Sequence, residues 1–271
     1  METLLEARNL RKDFTHPVLK GVSFSLHGGE CLGLVGRSGC GKSTLARVVT
    51  RLLPADGGEI FLCGRDITHA SGREMIEAYG KMQMVFQMPE DSFDPRHTLG
   101  WSIGEPMRNR GWEKKRIKER VEGLLEEAGL SPSYGERYPH EVSGGECQRA
   151  AIARALALSP RVLVCDEATS ALDMTVQAGI VELIGKLVGK GLACLFITHD
   201  IALLAGLAHR VMVMHEGRIV EEGPTGEFLQ KARSPHAREL VEASLFRYGY
   251  GENGWMRGGE PDDVCREMPV P

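Results

Sequence analysis

No apolar run in these 271 residues approaches the roughly 18–20 needed for a membrane-spanning helix, so any work at a membrane requires another chain to hold this one there. No C-x-x-C pair occurs either. The seven cysteines stand singly, which argues against a zinc ribbon or disulfide framework and fits a reducing cytosol. The formal net charge of −4 gives nothing to favour wrapping nucleic acid. The histidines show no H-x-x-x-H spacing of the kind that ligates metal. Met1–Glu6 lacks a basic segment followed by an apolar one, so no secretory signal is expected. What is present, 42% hydrophobic and 26% charged residues, is an ordinary globular composition. The length suits one large α/β domain with room for a small insertion.

The first third reads as strands. Leu4–Asp13 and Val18–Leu26 alternate apolar and polar residues, and Glu30–Val35 runs as a short apolar strand into a glycine-rich turn. A helix is expected from Lys42 to about Leu53, stopped by Pro54 and Asp56-Gly57-Gly58. Glu59–Leu62 and Gln83–Phe86 read as further strands. Between about Met88 and Ser159 strand patterning vanishes. Helices are expected there at Glu113–Ala128 and from about Gly144 to Leu158. Alternation then returns: strand Val162–Cys165, a helix through Val176, Ile180, Leu183, Ile184 and Leu187, and strand Cys194–Thr198. A helix over Ile201–Ala208 and paired strands Val211–His215 and Arg218–Glu221 follow. Such alternation implies a parallel sheet covered on both faces. The Gly/Pro-rich stretch beyond about Tyr248 reads as a tail.

Gly36-Arg37-Ser38-Gly39-Cys40-Gly41-Lys42-Ser43, with Thr44 next, fits G-x-x-x-x-G-K-[ST] between a strand and a helix. Its glycines let backbone N–H groups turn inward around phosphates, and the helix N-terminus adds partial positive charge. Lys42 supplies an ammonium for β- and γ-phosphates, and the Ser43 hydroxyl suits Mg²⁺. Val162-Leu163-Val164-Cys165 then leads to Asp166-Glu167, two carboxylates at the end of a buried strand. Asp166 is expected in the Mg²⁺ shell, and Glu167 is expected to orient the attacking water.

Ser143-Gly144-Gly145-Glu146-Cys147-Gln148-Arg149, continued by Ala151-Ile152-Ala153-Arg154, resembles the signature motif of ABC ATPases. That family implies a P-loop NTPase (RecA-like) α/β core with a mixed sheet, an N-terminal antiparallel β region and an inserted all-helical subdomain. The expected division is a core over 1–87 and 160–245, a helical subdomain over 88–159, and a tail over 246–271. The resemblance implies ATP and Mg²⁺ as cofactors and a second ABC ATPase, identical or not, as partner. Ser143, Gly144, Gly145 and Glu146 would then serve the ATP held by the opposite subunit. It also implies that Gln87 contacts Mg²⁺ and water, that Asp173 in Ser170-Ala171-Leu172-Asp173 lies at the dimer interface, and that His199 contacts the γ-phosphate. Phe14 stands where the family stacks an aromatic, usually Tyr, on adenine. Two departures mark the signature: Glu146 replaces the usual Gln, and Val142 the usual Leu. A carboxylate near another subunit's phosphates weakens that contact unless it turns away.

Gln87-Met88-Pro89-Glu90-Asp91-Ser92-Phe93-Asp94-Pro95-Arg96 resembles the Q-x-P-x-x-S-[LV]-N-P-R stretch of peptide and nickel importers. Ser234-Pro235-His236-Ala237-Arg238 is similar to their H-P-Y-T-R segment, and Gly36–Arg47, Gln83–Gln87 and Ala193–Asp200 look most like the nickel-import branch. The implied partners are transmembrane permeases and, indirectly, an extracytoplasmic substrate-binding protein, with this chain peripheral on the cytoplasmic face of the inner membrane. An exporter subunit, an ABC ATPase acting on nucleic acid and a regulatory ATP switch are the alternatives. The nucleic-acid reading lacks support from any coiled-coil insertion, zinc module or second ATPase copy in the chain, and a regulatory switch would bind ATP without a membrane partner.

Overall fold

The computed structural model describes residues 2–169 and 172–247. The chain opens with β1 (Thr3–Asp13), β2 (Pro17–His27) and β3 (Cys31–Val35), then turns into α1 (Lys42–Val49). It continues through β4 (Gly57–Leu62), β5 (Arg65–Asp66), α2 (Gly72–Lys81) and β6 (Met82–Val85). A strandless stretch follows, carrying α3 (Leu99–Arg108), α4 (Lys114–Glu127) and α5 (Gly144–Ala155). Alternation resumes with β7 (Val162–Asp166), α6 (Met174–Gly189), β8 (Ala193–Ile197), α7 (Ala202–Ala205), β9 (Arg210–His215) and β10 (Arg218–Pro224). The described chain ends in α8 (Thr225–Lys231) and α9 (Pro235–Arg247).

Two sheets result. One is antiparallel, in the order β2-β1-β4-β5; the other runs β10-β9-β3-β8-β7-β6 and is parallel except for β10. Every residue of β3, β7 and β8 is buried, as strands covered on both faces must be. Their side chains divide by parity. Cys31, Val35, Leu163, Cys165, Cys194 and Phe196 enter one apolar cluster, with the helices α3 to α6. Leu32, Leu34, Val162, Val164, Leu195 and Ile197 enter the other, with α1 and the antiparallel sheet. This parallel arrangement brings the C-terminal ends of β3, β6, β7, β8 and β9 to one edge, where an open α/β sheet binds its ligands.

Several boundaries differ from the sequence reading. α1 stops at Val49, because the Thr50 hydroxyl donates back to the Ala46 carbonyl at 2.7 Å and Arg51 takes φ 61°. α5 ends at Ala155 rather than Leu158, with Ser159 at φ 53°, and α7 has four residues where eight were expected. α2, α3, α8 and α9 are additional helices. α9 occupies positions up to 247, so the expected tail from 246 overlaps its last turn, and residues 248–271 lie outside the described chain.

Candidate nucleotide site

The loop after β3 is shaped by what it touches. A Cβ on Gly36 would lie 2.3 Å from the Met214 carbonyl oxygen and 2.8 Å from Cys40 Sγ, so no larger residue fits. Gly41 takes φ 109° just before α1. No side chain caps this helix and no acidic residue sits in its first turn, so its leading N–H groups are left for an anion. Arg37, Ser38 and Gly39 are exposed, whereas Cys40 is buried, and burial pushes its thiol pKa up. Lys42 is 5% exposed, and its ammonium donates to the carbonyls of Gly36 (2.8 Å) and Arg37 (3.1 Å). Thr44 follows, half-buried.

Ser43 Oγ donates to Asp166 Oδ1 at 3.0 Å, joining α1 to the end of β7. Burial pushes the Asp166 carboxyl above its ordinary range, against the hydrogen bond from Ser43. A hydroxyl and a carboxylate in contact are hard oxygen donors of the kind Mg²⁺ takes, so this pair fits that ion. Glu167, the next residue, has φ 48°, an unusual conformation for a non-glycine side chain, and its N–H donates to the Ile197 carbonyl at 3.0 Å. Around its carboxylate lie Gln87 Nε2 (3.0 Å), Lys42 Nζ (3.9 Å) and His199 Nδ1 (4.0 Å). Three segments distant in sequence thus converge on the Glu167 carboxylate. Gln87 and His199 reach it from just beyond the ends of β6 and β8, and Lys42 from the start of α1.

Phe14 sits in the β1–β2 turn, 57% exposed, with Lys12 Nζ 5.6 Å from its ring centre. The start of β2, just after that turn, adjoins the loop, since a Cβ on Gly41 would be 3.2 Å from the Val18 carbonyl oxygen. An exposed aromatic face of this kind offers a surface on which a base can stack.

The signature residues form a second, separate group whose hydrogen bonds are local. Ser143 caps α5: its Oγ accepts from Glu146 N at 3.3 Å, and Glu146 Oε2 accepts from Ser143 N at 2.7 Å, a complete capping box. The Tyr134 phenol donates to the other oxygen of Glu146 and holds that carboxyl below the ordinary glutamate range. Glu146 is therefore turned back into its own subunit. Gly145 is packed tightly, since a Cβ there would lie 2.5 Å from Val176 Cγ1 on α6. Asp173 is the N-cap of α6, accepting from Val176 N at 3.0 Å; Ser170 and Ala171 beside it lie outside the described residues.

Sequence reasoning missed Tyr134, twelve positions from its partner, and the Met214 carbonyl that shapes Gly36. Neither carries a local signal. A backbone carbonyl is anonymous in sequence, and a lone tyrosine in a short 3₁₀ turn (Pro132–Glu136) has no periodicity to read.

A family model described as ABC transporter matches residues 19–170. The chain is 44% identical over 230 residues to the glutathione import ATP-binding protein GsiA of Pectobacterium atrosepticum, an alignment covering 84% of this chain and 37% of that protein. It is 41% identical over 235 residues to the oligopeptide transport ATP-binding protein OppF of Haemophilus influenzae, covering 86% and 71%. It thus spans little more than a third of the glutathione relative. Among solved structures, the dimeric post-hydrolysis form of the ATP-binding cassette MJ0796 with ADP and Pi matches with TM-score 0.75 and 26% identity, over 82% of this chain and 99% of that one.

Proposed function

Since this chain belongs to the ABC transporter family, we propose that it is the ATP-hydrolysing subunit of an importer, one half of a two-ATPase sandwich coupled to membrane permeases. The observation that carries the chemistry is the convergence of Gln87, Lys42 and His199 on the Glu167 carboxylate. In this reading Lys42 leaves the Gly36 and Arg37 carbonyls for the β- and γ-phosphates, which lie against the leading N–H groups of α1. Ser43 and Asp166, with the Gln87 amide oxygen, would hold Mg²⁺, which supplies charge neutralisation when bound. Glu167 orients the attacking water through the hydrogen bond it accepts. The new bond forms between that water's oxygen and the γ-phosphorus as the bond to the β-γ bridging oxygen breaks. His199 stands beside the same carboxylate to contact the γ-phosphate, and Phe14 stacks on adenine.

The sandwich places each ATP between one phosphate loop and the Ser143–Glu146 segment of the other subunit, with Asp173 at the interface. The dimeric state of the structural neighbour supports it. The turned-back Glu146 supports this reading, because its carboxylate is held by Tyr134 and Ser143 N of its own chain. No described helix is long and apolar enough to cross a membrane, so attachment to the cytoplasmic face falls to the permeases. The cargo class is peptide. The relatives named above are glutathione and oligopeptide systems, which favours peptides over the nickel or metal chelate suggested by short stretches of sequence. An extracytoplasmic binding protein would deliver that cargo to the permeases.

The test is to affinity-purify tagged Glu167→Gln protein from detergent-solubilised cells in MgATP and identify its companions. Two polytopic proteins and a sister ATPase are expected. Recovery of ribosomes or DNA-repair proteins instead would leave the ATPase and remove transport as its purpose.

A further inference from the structure

Outside the site, one element makes contact with several parts of it at once. The turn between β9 and β10 carries Glu216 at φ 43° and Gly217 at φ 80°, and it abuts the phosphate loop from behind. Gly217 N donates to the Cys40 carbonyl at 3.0 Å, and the Met214 carbonyl lies against Gly36. α9 closes over this turn. The His236 ring stacks on His215, with centroids 3.5 Å apart and planes at 16°. One turn further along, the Glu239 carboxylate accepts from the Arg37 guanidinium in the loop itself. Near the far end, Ser244 Oγ donates to Asp200 Oδ1 at 3.5 Å, next to His199.

The start of α9 is built to hold this registration. Arg233 N and Ser234 N both donate to the Glu221 carboxylate of β10, at 2.8 and 2.6 Å. Ser234 Oγ caps the first turn by accepting from Ala237 N at 3.1 Å, and Ala237 is fully buried. His236 and Glu239, three apart on a helix, share one face: His236 meets the end of β9 and Glu239 meets the loop.

We propose that α9 is a positioning strap for the phosphate loop. Glu239 holds Arg37, and His236 holds the β9–β10 turn, in the arrangement that receives the phosphates, so a helix beyond the sheet sets nucleotide affinity. This rests on the reading of Gly36–Ser43 as the phosphate loop. The Arg37–Glu239 pair is exposed, at 66% and 52% of the side chains, so its own effect is modest.

The experiment is equilibrium binding of ADP to the full chain, with the turnover of the assembled transporter measured at saturating ATP. Glu239→Ala and His236→Ala are each expected to weaken ADP binding about two- to fivefold, and the double variant about tenfold, with kcat within about twofold of wild type. Glu239→Gln keeps an acceptor for Arg37 and is expected to bind ADP within about twofold of wild type, a rescue that a merely structural role would not give. Unchanged ADP affinity in the double variant overturns the proposal, as does a fall in kcat with affinity unchanged. Lys42→Ala separates the two readings. If it binds ADP like wild type, the phosphate-loop reading itself fails; if it loses ADP while the double variant does not change, only the strap fails.

Discussion

Gln87 Nε2 donates a hydrogen bond to Glu167 Oε2 at 3.0 Å, linking the end of β6 to the residue after β7. Their strands are neighbours in the parallel sheet, with Val85 opposite Cys165, so the contact follows from register. The bond fixes a carboxylate already held in a restricted backbone conformation by Glu167 N to Ile197 O. Orientation of a general base is what such a bond supplies.

Gln87→Ala should therefore lower kcat about tenfold while leaving ATP affinity within a few-fold of wild type. Steady-state hydrolysis by the assembled transporter checks this. A Gln87→Ala enzyme with unchanged kcat would detach the amide from catalysis.

Lys42→Ala removes the one ammonium buried between the Gly36 and Arg37 carbonyls and beside Glu167. A hydrogen bond to a charged group contributes about 1.5–3 kcal/mol, so ATP affinity should fall roughly 10- to 100-fold. Equilibrium dialysis with labelled ATP measures it, and a wild-type Kd would sink the assignment.

Asp166 separates function from stability. Its carboxyl is raised by burial, so the ionised form is a liability in the nucleotide-free protein above the unfolded-state pKa. Asp166→Asn should leave the Tm of the nucleotide-free chain unchanged or higher at pH 7, yet abolish Mg²⁺-dependent hydrolysis. A clear drop in Tm would show that the carboxylate stabilises the fold through another route.

Tyr134 and Glu146 give a pH test. The Glu146 pKa is lowered in the folded chain, chiefly by the Tyr134 hydrogen bond, so its stabilisation is present above the unfolded value of about 4.3 and is lost as pH falls through the folded one. Tyr134→Phe should be less stable than wild type at pH 7, and the gap should narrow below about pH 4. Glu146→Gln keeps the capping box but loses the ionised acceptor, so it should melt below wild type at pH 7 and approach it as the pH falls. Scanning calorimetry across an acid pH series decides it; a gap of constant size from pH 7 down to acid unfolding would contradict the mechanism.

Much of the architecture was readable because period and punctuation agree. Apolar runs such as Cys194–Ile197 allow only a strand buried on both faces. The Gly36–Ser43 spacing between strand and helix left little choice for the loop. The helices that escaped are those with poor local signals. α3 contains Gly100, Gly104 and Pro106, and its stability comes from Leu99, Ile103 and Met107 buried against its neighbours. α9 is held by Ser234, Glu221 and the buried Ala237, contacts that depend on β10 being in place. At the site, the sequence supplied the residue types and the sheet brought them together. The turning of Glu146 toward Tyr134 came only from tertiary structure.

Glu167 serves the attacking water in the proposed mechanism, and phosphate release by Glu167→Gln beside wild type, with ATP binding measured on the same samples, tests that role. Wild-type ATP affinity is expected, with release slowed about 10²- to 10⁴-fold, the span of a general base. Release at the wild-type rate would contradict it.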